Sequence, residues 1–185
     1  MNFIDTFLEE TKHIADTINR EHITEMAKIL SDTKGRLFIL GVGGSAANAS
    51  HAVNDFRKIC GIEAYAPTDN VAELTARTND DGWSTTFDAW LVGSHLRKED
   101  AILILSVGGG NHHVSANIAR AVLYGRRIGS KVLGIVGRPD GCTAREADVC
   151  IIVPATSHLT AHTEAWQSII LHLLVSHPLL VPHAQ

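Results

Sequence analysis

No apolar run in this 185-residue chain approaches the length needed to cross a membrane. The first ten residues carry Asp5, Glu9 and Glu10 where an export signal would need an apolar core. Basic blocks are missing too: 16 Lys and Arg against 20 Asp and Glu leave a net charge of −4. Nucleic acid and anionic membrane are therefore poor partners for the surface as a whole. Cysteine is scarce. Cys60, Cys142 and Cys150 are an odd number with no metal-ligand spacing, as suits reduced thiols. Together these absences describe a cytoplasmic protein. Two phosphate signatures are also lacking, the dinucleotide G-x-G-x-x-G and the Gly-Lys-Ser/Thr of a nucleoside-triphosphate loop.

Two glycine loops are present instead. The apolar run 37–40 breaks into Gly41, Gly43 and Gly44, and a small-residue helical segment with Ser45 follows at once. Strand, tight loop and helix in that order favour a phosphate or carboxylate at the helix start, or serve as a close-packed turn with no ligand. Two turns on, His51 and Asp55 are four residues apart and share a helix face, within reach of one ligand or metal. The pattern recurs at 101–105, which opens into Ser106, Val107, Gly108, Gly109 and Gly110 and, past Asn111, His112 and His113, reaches Ser115. Two such loops at the carboxyl ends of parallel strands make the crevice where open α/β sheets bind ligands.

In chain order, apolar spacing over 2–31 predicts two amphipathic helices before the first strand, free to pack on another subunit. Strands are expected at 37–40, 63–66, 101–105, 131–136 and 149–153. Helices are expected from Ser45 to near Gly61, over 72–77, 83–96, 116–124 and 143–147, and from Thr160–Thr163 to Pro178. Thr78 to Gly82 reads as a polar loop whose Asn79 and Asp80 either order it locally or bond sugar hydroxyls. The alternation gives one doubly wound α/β domain with a mainly parallel sheet flanked by helices, divided into an N-terminal helical arm (1–31), a core (36–176) and a short tail (177–185).

Three stretches resemble one family. Gly43-Gly44-Ser45-Ala-Ala-Asn-Ala-Ser-His51-Ala-Val-Asn-Asp55 resembles NGGSAADAxHxxxEL, Thr78-Asn79-Asp80 resembles an AxxND loop, and Thr160-Ala-His-Thr-Glu164-Ala165 with His172 resembles TxRxQE and a late histidine. These are motifs of the phosphoheptose isomerases, of the sugar isomerase (SIS) fold. The resemblance implies aldose–ketose isomerisation between sedoheptulose 7-phosphate and D-glycero-D-manno-heptopyranose 7-phosphate through an enediol, in a homotetramer whose sites are shared between subunits. It implies Asp55 and His172 as acid/base groups, with Glu164 taking part of the base role. His51, Asp55, Glu164 and His172 are the implied zinc ligands. Gly43, Gly44, Ser45, Asn79, Asp80, Ser106, Val107, Gly108, Ser115 and Glu164 are the implied substrate contacts.

The chain departs from the family pattern at informative places. Asp55 is one methylene shorter than the family glutamate, Glu164 is a charged residue where the family has glutamine, and Val42 replaces an asparagine. The loop 108–113 replaces a serine-rich turn. Glu164 and His172 are separated by about 12 Å of helical rise and about 80° of rotation, so different subunits are expected to contribute them to any one ion. An isomerase of another phosphorylated or anionic sugar, or a non-catalytic sugar-phosphate-binding or replication-initiator-partner module, are the alternatives. The module has no need of His51, Asp55, Glu164 and His172 together.

Overall fold

Ala101–Ser106 is apolar until its last residue and buries all six side chains, so it needs cover on both faces and belongs mid-sheet. In the computed structural model, which describes residues 2–181, it is β3 of a five-stranded parallel sheet. The order is β2 (Ala64–Tyr65), β1 (Leu37–Gly41), β3, β4 (Lys131–Val136), β5 (Val149–Ile152), every pair parallel. Alternate residues of each strand serve opposite faces. Leu103 and Leu105 join α2 (Arg20–Asp32), α3 (Gly44–Lys58) and α8 (Leu159–Val175) in one apolar layer. Ile102 and Ile104 join α5 (Thr86–Gly93) and α6 (Ala116–Ile128) in the other. Between them in sequence lie α4 (Val71–Asp81) and α7 (Cys142–Glu146), and α1 (Phe3–Thr17) precedes α2. The α/β class with a parallel sheet flanked by helices stands as expected.

Several local expectations change. The loop expected at 78–82 is helical: α4 runs to Asp81 and stops at Gly82, whose φ of +85° suits glycine. Its polar residues satisfy themselves on the helix, with Asn70 capping Glu73 N, Thr75 and Thr78 bonding back to carbonyls one turn earlier, and Glu73 paired with Arg77. The single helix expected over 83–96 divides into a 3₁₀ turn, Trp83–Thr85, and the shorter α5. The N-terminal arm also divides. Ile23, Met26, Ala27 and Leu30 bury α2 against the sheet layer, and His22 Nδ1 meets the Cys150 carbonyl at 2.9 Å. Only α1 keeps large apolar residues outside, with Phe3, Ile4 and Leu8 exposed. The expected tail, 177–185, falls outside the described residues beyond Val181. All three cysteines are free and buried, and burial pushes the Cys150 thiol up to about 12.

The amino ends of β1 and β3 are latched by one ion pair. Asp100, 3% exposed, accepts from Arg36 N (2.8 Å), Arg36 Nη2 (2.8 Å) and Arg97 N (2.9 Å). Burial alone would raise the Asp100 carboxyl, but these hydrogen bonds together hold it below its ordinary 3.8. A depressed folded-state pKa contributes stability that is present above the unfolded value and lost as pH falls through the folded one. Asp100→Asn is therefore expected to cost about 2–4 kcal/mol at pH 7. Urea unfolding of both proteins at pH 7 and again below pH 3 should show that gap narrowing in acid, and a constant gap would refute the assignment.

Candidate functional site

The chain leaves β1 toward one edge and returns to β3 on the other side, so adjacent strands send their following helices to opposite faces. The crevice this opens at their carboxyl ends is a cavity of about 420 Å³ lined by Val42, Ser45, Ser106, Val107, Gly108 and Ser115 of the two glycine loops. Gly43 turns the chain at φ +64° into α3. Gly41 cannot carry a side chain, because a Cβ there would collide with the Ser45 backbone carbonyl. Opposite it, Ser115 stands at φ +51° before α6 and does not cap it. Two helix starts thus face one cavity, and both favour an anion.

The hydroxyls are set for that task. Ser45 is 1% exposed and its Oγ has no hydrogen-bond partner among the described residues. Ser106 Oγ accepts from Gly109 N at 3.0 Å and fixes the second loop. Asn111 Oδ1 accepts from His113 N and Val114 N, both 2.8 Å, which orders the far side of the loop; His112 and His113 are exposed and do not line the cavity. Sequence reasoning passed over Arg138, which lines the cavity with Asn111 and Asp140. The available signal was a cation just past the carboxyl end of β4, the strand beside β3.

A second group lies along the seam between α3 and α8. His51 Nε2 is 3.1 Å from Asp55 Oδ2 and 3.3 Å from His172 Nε2, and the His172–Asp55 separation is 3.9 Å. Two ligands on one tetrahedral zinc-class ion, with bonds of about 2.0–2.1 Å, stand roughly 3.3 Å apart. The three edges bracket that value, so these residues fit a divalent ion. His172 Nδ1 is 2.8 Å from the Ser168 carbonyl, which assigns the proton to Nδ1 and leaves Nε2 as the ligating atom. Asp55 Oδ1 is held by Asn54 Nδ2 at 3.0 Å.

Glu164 stands apart from this group. Its carboxylate lies against the Gly44 Cα, where any Cβ would meet it, and its carbonyl accepts from Asn48 Nδ2 at 2.9 Å. Asn48 Nδ2 also reaches the buried Gln167, which bonds the Ile135 carbonyl of β4. The two helices run side by side in the same direction: Glu164 faces Gly44, and His172 faces His51 and Asp55. His172 therefore joins His51 and Asp55 within one chain, while Glu164 sits at another height of the same seam. Asn79 and Asp80, on the exposed last turn of α4, bond each other at 2.8 Å and are not brought to the cavity.

The chain is 27% identical over 198 residues to a phosphoheptose isomerase of Syntrophotalea carbinolica, covering 98% of this chain and 96% of that one. It is 32% identical over 148 residues to a phosphoheptose isomerase of Roseiflexus sp., covering 77% and 69%. A solved phosphoheptose isomerase from Neisseria gonorrhoeae superposes with a TM-score of 0.81 at 26% identity, covering 94% of each chain. No family model matches the chain.

A buried hydroxyl without a partner inside an anion cavity separates binding from stability. Ser45→Ala is expected to leave the thermal midpoint of the free protein unchanged or slightly raised, since it removes an unsatisfied polar atom. It should weaken a phosphorylated ligand about tenfold or more, read by titration calorimetry. Equal ligand affinity in wild type and variant would show that this hydroxyl does not face the anion.

Proposed function

The chain belongs to the phosphoheptose isomerase family and is a sugar-phosphate isomerase, and from that premise we propose that it interconverts sedoheptulose 7-phosphate and D-glycero-D-manno-heptopyranose 7-phosphate. The observations that carry the reading are the cavity built from Ser45, Ser106, Ser115 and two helix N-termini and, further along α3, the His51, Asp55 and His172 group. The cavity takes the phosphate, with Gly43, Gly44, Val107 and Gly108 supplying close backbone approach and Arg138 the added cation. His51, Asp55 and His172 are the residues that would hold zinc, which when bound supplies a Lewis acid at the carbonyl oxygen.

Isomerisation removes a proton from the carbon beside the carbonyl and returns one to its neighbour. With a metal held in the His51, Asp55 and His172 group, Asp55 and His172 would be occupied as ligands and not free to take that proton. Glu164 is the carboxylate left over. Its carboxylate lies against Gly44, next to Ser45 of the cavity, rather than with the His51, Asp55 and His172 group. The family glutamine is not a base, and a carboxylate here restores the function that shortening glutamate to Asp55 weakens. Asn48 and Gln167 hold the α8 backbone so that Glu164 keeps its place. The same reading gives a cytoplasmic homotetramer of one SIS domain per chain working in carbohydrate metabolism. Exposed Ile169 and Leu173 beside His172, and exposed Phe3, Ile4 and Leu8 on α1, support an interface next to the site. Among the described residues no helix is long and apolar enough to cross a membrane.

Proton NMR of sedoheptulose 7-phosphate with the purified protein in heavy water should show deuterium entering the substrate and an aldose product, both lost with chelator and restored by zinc. Glu164→Gln should lower exchange by about 10²–10⁴-fold while zinc content stays constant. Asp55→Asn should lower zinc content and exchange together. Full exchange in Glu164→Gln would move the base to Asp55, and no exchange by zinc-loaded wild type would reject this substrate in favour of another phosphorylated sugar.

A further inference from the structure

A second constellation of ligand-type side chains lies where α1 meets the start of α8. His158 and His162 are four residues apart at the N-terminus of α8, and Glu10 reaches them from α1. One ligand atom from each lies within 4.8 Å of the others. Glu10 is 8% exposed and firmly oriented. Its Oε1 accepts from Thr156 N (2.6 Å), Thr156 Oγ1 (3.1 Å) and Ser157 N (2.7 Å), and its Oε2 accepts from Ser157 Oγ. Hydrogen bonds of this kind hold ligating carboxylates in place. They also keep Glu10 ionised, lowering its carboxyl to about 2 although burial alone would raise it.

His162 is the observation that asks for a ligand. Its ring is 1% exposed and stacks on Phe7, with centroids 4.1 Å apart and planes at 26°. Its Nε2 is 3.3 Å from Glu10 Oε2, yet the alignment is not that of a hydrogen bond, and Nε2 has no partner among the described residues. A buried imidazole nitrogen aimed beside a carboxylate is poorly served as a donor. The same 3.3 Å is the edge between two ligands on a tetrahedral ion of zinc type. His158 completes the set from the solvent side. It is exposed, it packs edge-on to Phe3 (5.3 Å) and stands 6.4 Å from the His162 ring, so it offers both a third ligand and an entry path.

We propose that Glu10, His158 and His162 form a second divalent-cation site of zinc class, separate from the His51, Asp55 and His172 group, which fastens α1 to the start of α8. Two neutral imidazoles and one carboxylate match the ligand chemistry of zinc. The role is structural: the ion ties the first helix to the helix that carries Glu164 and His172, and no reaction step is assigned to it. It does not depend on the isomerase reading.

The test removes the first group and asks whether zinc remains. The double variant His51→Ala/His172→Ala, loaded with zinc chloride and dialysed, is expected to retain one zinc per chain by elemental analysis. With cobalt in place of zinc it should show tetrahedral visible bands. Adding His158→Ala, an exposed position whose loss leaves the helix intact by circular dichroism, should remove both the metal and any zinc-dependent rise in melting temperature. Glu10→Gln in the same background should do likewise. No metal in the folded double variant overturns the site and leaves Glu10 and His162 as a metal-free contact. Retention unchanged by His158→Ala and by Glu10→Gln overturns it as well.

Discussion

The molecule's chemistry depends on the adjacency of β1 and β3. The chain pairs β2 on the outer side of β1 before crossing back to β3, so successive helices must leave on opposite faces. The gap left between α3 and α6 is where the glycine loops meet, and it cannot be closed by side chains without losing the turn at Gly43. At the opposite, amino end, Arg36 and Asp100 join the same two strands. The sheet is thus fastened at one end and open at the other.

The seam between α3 and α8 depends on that same arrangement. A buried glutamine and an asparagine tie the two helices together by hydrogen bonds. At Gly44 the Glu164 carboxylate fills the space of the missing side chain. Polar residues in such a seam specify one register, because any shift would strand buried hydrogen-bonding groups. Register decides which of α8's residues face His51 and Asp55, and so it decides the composition of the His51, Asp55 and His172 group.

Much of this was legible before any coordinates. The apolar runs at 37–40 and 101–105 read as buried parallel strands, and the loops after them fell at the cavity. The four-residue spacing of His51 and Asp55 already placed them on one face. Less legible were the polar stretches. Thr78, Asn79 and Asp80 favour turns in isolation, but their side chains bond within α4, and so the expected loop became an exposed helix end. Arg138 and Glu10 carried no periodic signal: one follows a strand like many surface cations, and the other interrupts an amphipathic pattern as a solvated glutamate would.

By itself the sequence determined the strands, most of the helices between them, the two anion-favouring loops and the identity of the ligand-type residues, because each depends on contacts within a few residues. Tertiary structure decided which of those residues meet. Helix geometry says that Glu164 and His172 are about 12 Å apart along one axis, but only the packing of α8 on α3 assigns His172 to His51 and Asp55 and leaves Glu164 beside Gly44. The burial of Glu10 and His162 is of the same kind. Neither residue's own neighbours in sequence exclude water from it, and the docking of α1 on the start of α8 does.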